Sequence, residues 1–141
     1  MAINNVFNPA GVVVTVGHVT VSNLTADDGV KIEMQGDGMQ FTVGLDGALV
    51  PSLTANRSAK ITLSVMQGST TNDQLQALTG YGTPKLNTTP LPITVIDKSR
   101  GARLVLAPTC YLSKGPGLQL TEKPNALEWE FIAESVVLSL K

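Results

Sequence analysis

The sequence predicts a mainly β fold, a sandwich or partly closed barrel of nine or ten short strands around one helix. Three observations carry this. Apolar residues recur at every second position in four separate segments, the period of a half-buried strand. Hydrophobic residues make up 43% of the 141 residues and aromatic residues only 4%, so Val, Leu and Ile must build the core. One stretch alone has helix start and stop signals at a workable spacing.

The first segment places Val12, Val14 and Val16 on one face, then shifts phase after Gly17 to Val19 and Val21. A β-bulge at Gly17-His18 would produce that shift and bend one long strand. Asp27-Asp28-Gly29 is a turn before Val30, Ile32 and Met34, which alternate with Lys31 and Glu33. Gln35-Gly36-Asp37-Gly38 separates that run from Met39, Phe41, Val43 and Leu45. Its turn chemistry predicts that the two runs pair as a hairpin, each with its apolar face on the core. Asp46-Gly47 marks another turn before Ala48-Leu49-Val50, and Pro51 ends that run or lies on an edge.

Ile61, Leu63 and Val65 alternate with Lys60, Thr62 and Ser64. Thr71-Asn72-Asp73-Gln74 then has the form of a capping box, with Thr71 as N-cap and Gln74 reaching back. Leu75 and Leu78 would face the core and Gly80 would stop the helix. Two turns of helix are too short to stand alone, so this one must pack on a sheet. Residues 81–90 form a loop. Strands are expected at Leu91–Asp97, 102–106, 109–113, 118–121 and Ala126–Ala133, with a last one within 136–140. In Ala126–Ala133, Leu127, Trp129, Phe131 and Ala133 share the apolar face. No repeat or internal linker divides the chain, so a single domain over residues 1–141 is expected.

Composition excludes several functions. Charged residues are 15%, and ten basic residues stand against eleven acidic ones for a net charge of -1. No basic run could hold a phosphate backbone. A surface this poor in charge repels copies of itself weakly, which suits a protein whose surface becomes interface. The start of the chain lacks a signal-peptide pattern, and no apolar run is long enough to span a membrane as a helix. Synthesis in a cytoplasm is the expectation.

Chemistry is equally hard to find. His18 is the sole histidine and has no partner in sequence for base or metal work. Cys110, the sole cysteine, lies between Thr109 and Tyr111 in a strand-like run and is expected to be a buried, inert thiol. Asp27, Asp28 and Asp37 lack calcium-loop spacing and are expected to be turn residues. Glu128, Glu130 and Glu134 form an acidic ladder, expected on a solvated strand face and able to pair with Lys or Arg on a neighbouring subunit. The glycine-containing segments match no nucleotide-binding motif. No catalytic, cofactor-binding or metal residue is assigned, no cofactor is expected, and the chain is not expected to be an enzyme.

The order of elements resembles a known family. Val30-Lys31-Ile32-Glu33-Met34, a polar glycine turn, and Phe41-Thr42-Val43-Gly44-Leu45-Asp46-Gly47-Ala48 are similar to the "V-G-x-D-G" region of tail tube proteins from contractile-tailed bacteriophages. Ala59 through Met66, followed by Gly68-Ser69-Thr70-Thr71-Asn72-Asp73-Gln74-Leu75-Gln76-Ala77-Leu78, resembles that family's strand and its "S-P-S-N-x-x-L-x-x-L" helix. Pro92-Ile93-Thr94-Val95-Ile96-Asp97 and Glu128-Trp129-Glu130-Phe131 resemble its "P-F-x-V-x-D" and "R-E-W-x-F". The resemblance spans residues 12–131. Thr70-Thr71 departs from the family's Pro-Ser, and Leu127-Glu128 from its basic-acidic pair.

The resemblance implies two packed antiparallel sheets with a flanking helix, and homohexameric rings stacked into a hollow tube. It implies a place in the virion tail, a surrounding sheath protein, a tape measure protein inside, baseplate and tail terminator proteins at the ends, and DNA only as passing cargo. No membrane binding is implied. The inner tube of secretion and contractile injection systems shares the fold and stands as an alternative. Gln35, Gly36, Asp37 and Gly38 are candidates for ring-to-ring contact, together with residues 46–58. Gln40 and Thr42 are candidates for the lumen face. A monomeric β-sandwich binding module is the reading from a different class, but it should show surface aromatics that this sequence lacks.

Overall fold

A computed structural model of the chain describes residues 11–22, 24, 29–36, 38–98, 102–118, 120–123 and 125–139. The expected turn residues Asp27, Asp28 and Asp37 lie outside them. Among the described residues there are ten strands and one helix. They run β1 (Val12–Val16), β2 (Val19–Val21), β3 (Val30–Met34), β4 (Met39–Val43), β5 (Leu49–Leu53), β6 (Ala59–Met66), α1 (Thr70–Thr79), β7 (Leu91–Asp97), β8 (Ala102–Lys114), β9 (Ala126–Ala133) and β10 (Val137–Leu138). All pairings are antiparallel. One sheet has the order β2-β1-β7-β8-β9-β6-β3, with β10 also on β8, and β4-β5 form a second sheet of two strands. The fold is mainly β with one short helix and no closed barrel, as expected.

The large sheet curls until its ends approach. Leu24, just past β2, bridges Val65 near the end of β6. The helix that follows β6 is tied back toward β2, where Ser22 donates its backbone N–H to Thr71 Oγ1 at 3.0 Å. The enclosed core is aliphatic. It takes Val14, Val16, Val19 and Val21 from β1 and β2, Ile61, Leu63 and Val65 from β6, and Ile93 and Val105 from β7 and β8. Leu75 of α1, with Trp129 and Phe131 of β9, completes it. The β8 strand has thirteen residues and serves three neighbours, β7 along its first part, β9 along its last and β10 at Val105 and Leu106. The two strands expected at 102–106 and 109–113 are therefore one. The described residues of 118–121 form no strand.

Three local expectations need correction. The phase shift at Gly17 is not a bulge in one strand. Val16 pairs with Val19 and Val14 with Val21, so Gly17-His18 is the tip of a hairpin, and folding back places all four valines on one buried face. Gly17 has φ +58, and a Cβ there would lie 3.3 Å from Leu78 Cδ2, so glycine suits both the conformation and the packing. The helix cap is Ser69, whose hydroxyl accepts from Thr71 N at 3.2 Å. Thr71 is instead buried inside the first turn. Gly80 ends the helix in the left-handed conformation, as expected. Finally, β3 does not pair with β4. β3 pairs with β6, and β4 with β5.

Candidate assembly interface

The pairing of β3 with β6 and β4 with β5 makes one long ribbon. Its inner half runs from Val30↔Leu63 to Met34↔Ala59, and its outer half from Met39↔Leu53 to Val43↔Leu49. The inner half belongs to the large sheet through β9. The outer half forms a separate two-stranded arm. Between the two ladders the chain counts four residues on one side, 35 to 38, and five on the other, 54 to 58, and that inequality breaks the pairing. Gln35, Gly36 and Gly38 thus lie at a joint inside a ribbon rather than in a hairpin turn, with Asp37 outside the described residues. Gln35 N donates to Ser58 O at 2.9 Å, and Thr54 N to Gly38 O at 3.3 Å. Asn56 Oδ1 accepts from Ser58 N at 3.1 Å and from Ser58 Oγ at 2.7 Å. Gly36 packs so closely that a Cβ there would overlap the Asn56 carbonyl oxygen.

The arm's tip is well formed. Gly44 N donates to Ala48 O at 2.8 Å, and Asp46 Oδ1 accepts from Ala48 N at 3.0 Å. Gly47 has φ +84, a conformation that side chains on L-residues rarely adopt. Register then divides the arm's side chains. Met39, Phe41, Val43, Leu49, Pro51 and Leu53 share one face, and Gln40, Thr42, Val50 and Ser52 the other. Every residue of both strands is exposed. The expectation that Met39, Phe41 and Val43 face the core is therefore wrong for the free chain. Phe41 is 58% exposed and Leu53 68%. A lone two-stranded hairpin is at best marginally stable in water. A patch of six contiguous apolar side chains on such a hairpin marks an interaction surface. Pro51 does lie on an edge, as expected.

The outer face of β3, β6 and β9 is the opposite kind of surface. Lys31, Glu33, Lys60, Thr62, Glu128 and Glu130 line a shallow groove there. Lys31 Nζ lies 2.8 Å from Glu33 Oε1, and Lys60 Nζ 3.4 Å from Glu130 Oε1. The hydrogen bond and charge of Lys31, with help from Lys60, hold the Glu33 carboxyl below the usual carboxylate range. Part of the acidic ladder is thus neutralised within the chain.

The other singled-out residues do not converge. His18 is exposed at its hairpin tip, beside a groove lined by Gln74, Ala77 and Leu78. Cys110 is fully buried, with Sγ 3.4 Å from the Ala107 carbonyl oxygen. Burial pushes its thiol up to about 11, away from any nucleophilic role. Among the described residues no group of three His, Cys, Asp or Glu could hold a metal ion. No described helix is long and apolar enough to cross a membrane. What reading the sequence missed is the unpartnered arm. No signal in the sequence marked it, since Met39, Phe41 and Val43 alternate as the buried Ile61, Leu63 and Val65 do.

Comparison with known proteins agrees with this architecture. The family model described as "Bacteriophage PhiTE tail tube protein" matches residues 8–140. A search of curated proteins finds no match. Among solved structures, the tube-terminating cap of the anti-feeding prophage is similar at a TM-score of 0.64 and 14% identity, covering 99% of this chain and 94% of that one. The sheath-tube complex of the extracellular contractile injection system PVC, in its extended state, has a similar chain at 0.63 and 12%, covering 97% and 93%. The sheath/tube terminator of the same system is similar at 0.60 and 13%, covering 98% and 99%. At these identities the likeness is one of fold.

Proposed function

The chain belongs to the family of the bacteriophage PhiTE tail tube protein, structural proteins rather than enzymes, and from that premise we propose that its copies close into rings and stack as a hollow tail tube. The observation that carries the proposal is the arm. Met39, Phe41, Val43, Leu49, Pro51 and Leu53 are left exposed among the described residues, and a neighbouring copy supplies the missing surface. Contacts that join copies within a ring are heterologous and close when the rotation between copies divides a full turn, while the arm reaches a copy in the next ring. Six copies per ring is the number the family resemblance implies.

Residues 46–58 and the joint Gln35-Gly36-Asp37-Gly38 serve ring-to-ring contact in this reading. The arm's polar face, with Gln40 and Thr42, lines the lumen, because an arm that packs its apolar face on protein turns the other toward water. A wall of uncharged polar side chains lets DNA pass, whereas a basic one would hold it. The lumen would house the tape measure protein before ejection. A sheath would surround the tube, baseplate and terminator proteins would meet its ends, and synthesis would take place in the host cytoplasm.

Negative-stain microscopy of the purified protein at rising concentration tests this. Hollow tubes with six-fold end views are expected. A chain that stays monomeric by sedimentation at every concentration, and that preformed tube fragments do not recruit, would overturn it. The neighbours from contractile injection systems favour a second reading, the tube of a DNA-free injection particle. Nuclease-protected DNA co-purifying with native particles would separate the two.

A further inference from the structure

The direction of the arm is set where it leaves the body. Among the described residues β4 and β5 pair with each other and with no strand of the large sheet, so the joint alone carries them. The joint has sides of unequal length, four residues from 35 to 38 against five from 54 to 58. The longer side must fold in its excess, about 3.3 Å of chain at the usual strand rise. An excess left open would make the joint a swivel.

Asn56 folds that excess into a closed bend. Its Oδ1 accepts from both the backbone N–H and the hydroxyl of Ser58, and a side-chain oxygen so placed stands in for a backbone carbonyl and fixes the local turn. Ser58 O in turn accepts from Gln35 N across the joint at 2.9 Å, so one residue is held by Asn56 and by the opposite strand. Gly36 packs on the Asn56 carbonyl oxygen with no room for a Cβ. On the arm side, Thr54 N donates to Gly38 O at 3.3 Å, and Thr54 Oγ1 is shut away from water. The two sides therefore touch at both ends of the unequal stretch and in its middle.

We propose that the joint is a locked elbow, positioned by Asn56 through Ser58, and that the arm of a free subunit stands at one set angle before any neighbour covers it. An arm already oriented loses less freedom on binding, and a fixed angle repeats the same contact from copy to copy. The use of the elbow in assembly rests on the tube reading above, whereas the elbow itself belongs to the free subunit. Asn56 is exposed, so the lock lies outside the core and can be removed without opening it.

The test measures one distance in unassembled subunits. Leu45→Cys at the arm's tip and Gln74→Cys on α1 both fall on exposed positions, and the native Cys110 is buried and takes no label. Spin labels on the pair are read by pulsed dipolar resonance below the concentration at which subunits associate. One narrow distance distribution is expected. Asn56→Ala should lose it and give a broad one, while the denaturation midpoint of the core stays unchanged. Asn56→Asp should restore the narrow distribution, because a carboxylate oxygen accepts from the same two donors. Ser58→Ala keeps the main-chain bond and should broaden less than Asn56→Ala. A broad distribution in the parent pair would overturn the elbow. So would an Asn56→Ala distribution as narrow as the parent's, or an Asn56→Asp distribution as broad as that of Asn56→Ala. A narrow distribution in a chain that never forms tubes would overturn the tube reading and leave the elbow standing.

Discussion

Replacing Phe41 by serine should disable assembly and leave the free subunit unharmed. Phe41 sits mid-arm, paired with Pro51, on the apolar face, and is 58% exposed. A phenylalanine side chain offers about 200 Å², so covering the exposed part would remove roughly 115 Å² from water. At about 25 cal/mol per Å² this stabilises the contact by about 3 kcal/mol per copy. Incomplete burial would bring it to about half. Each 1.4 kcal/mol is a factor of ten, so the critical concentration for tubes should rise about 10- to 100-fold.

Folding of the free chain should barely respond to the same change, within about 0.5 kcal/mol, because Phe41 is already in water. The contrast is Phe131→Ala in β9, where a fully buried ring is lost, at a cost of about 3–5 kcal/mol. Sedimentation over a concentration series reads assembly. Fluorescence of Trp129, the sole tryptophan and buried in the core, reads unfolding in denaturant. An unchanged critical concentration for Phe41→Ser, or a loss of folding stability near that of Phe131→Ala, would refute the reasoning.

Three further predictions address the joint, the cap and the thiol. Gly36→Ala should force the joint apart at Asn56 and misdirect the arm; hydrogen exchange should show lost protection of the Gln35 and Thr54 amides, and assembly should weaken while the core melts near normally. Ser69→Ala should cost about 1 kcal/mol as a lost N-cap. Thr71→Ala should cost about 1–3 kcal/mol, because it leaves the Ser22 amide without its acceptor; a negligible loss for Thr71→Ala in denaturant melts would refute the part given to its contact with Ser22. Cys110 should resist iodoacetamide at pH 8 until the chain is unfolded. Its folded-state value of about 11 lies above the ordinary 9. The unfolded thiol therefore ionises first, and stability should fall between pH 9 and 11, by on the order of 2–3 kcal/mol. A Cys110→Ala variant should lack that component.

Much of this was legible in the residues, and the limits have physical causes. Alternation identified β3, β6 and β9 of the large sheet, because the pleat alone sets which side chains share a side, whereas β8 was expected as two strands and is one. The stop at Gly80 followed from local chemistry, while the helix, expected at two turns, runs ten residues. Ser69 was missed because two hydroxyl residues lie within the same turn, and only the packing of Thr71 against Ser22 decides which one caps. The bulge read at Gly17 and the hairpin read at Gly36 were exchanged for a hairpin and a joint. Glycine-rich turn chemistry marks a break in a ladder but does not say whether the chain returns or continues past it.

The arm shows where the boundary falls. Met39, Phe41 and Val43 alternate just as Ile61, Leu63 and Val65 do, yet the first set is exposed and the second fully buried. Sequence by itself determined that this chain is an aliphatic β-protein, poor in charge and without a constellation for catalysis, and that each of these segments has an apolar side. Only the tertiary structure decided which apolar sides meet inside the chain. That depends on strand pairing between residues up to 85 positions apart, as for Val12 with Asp97, and no local pattern encodes it. The face on residues 39–53 is left in water by the described fold.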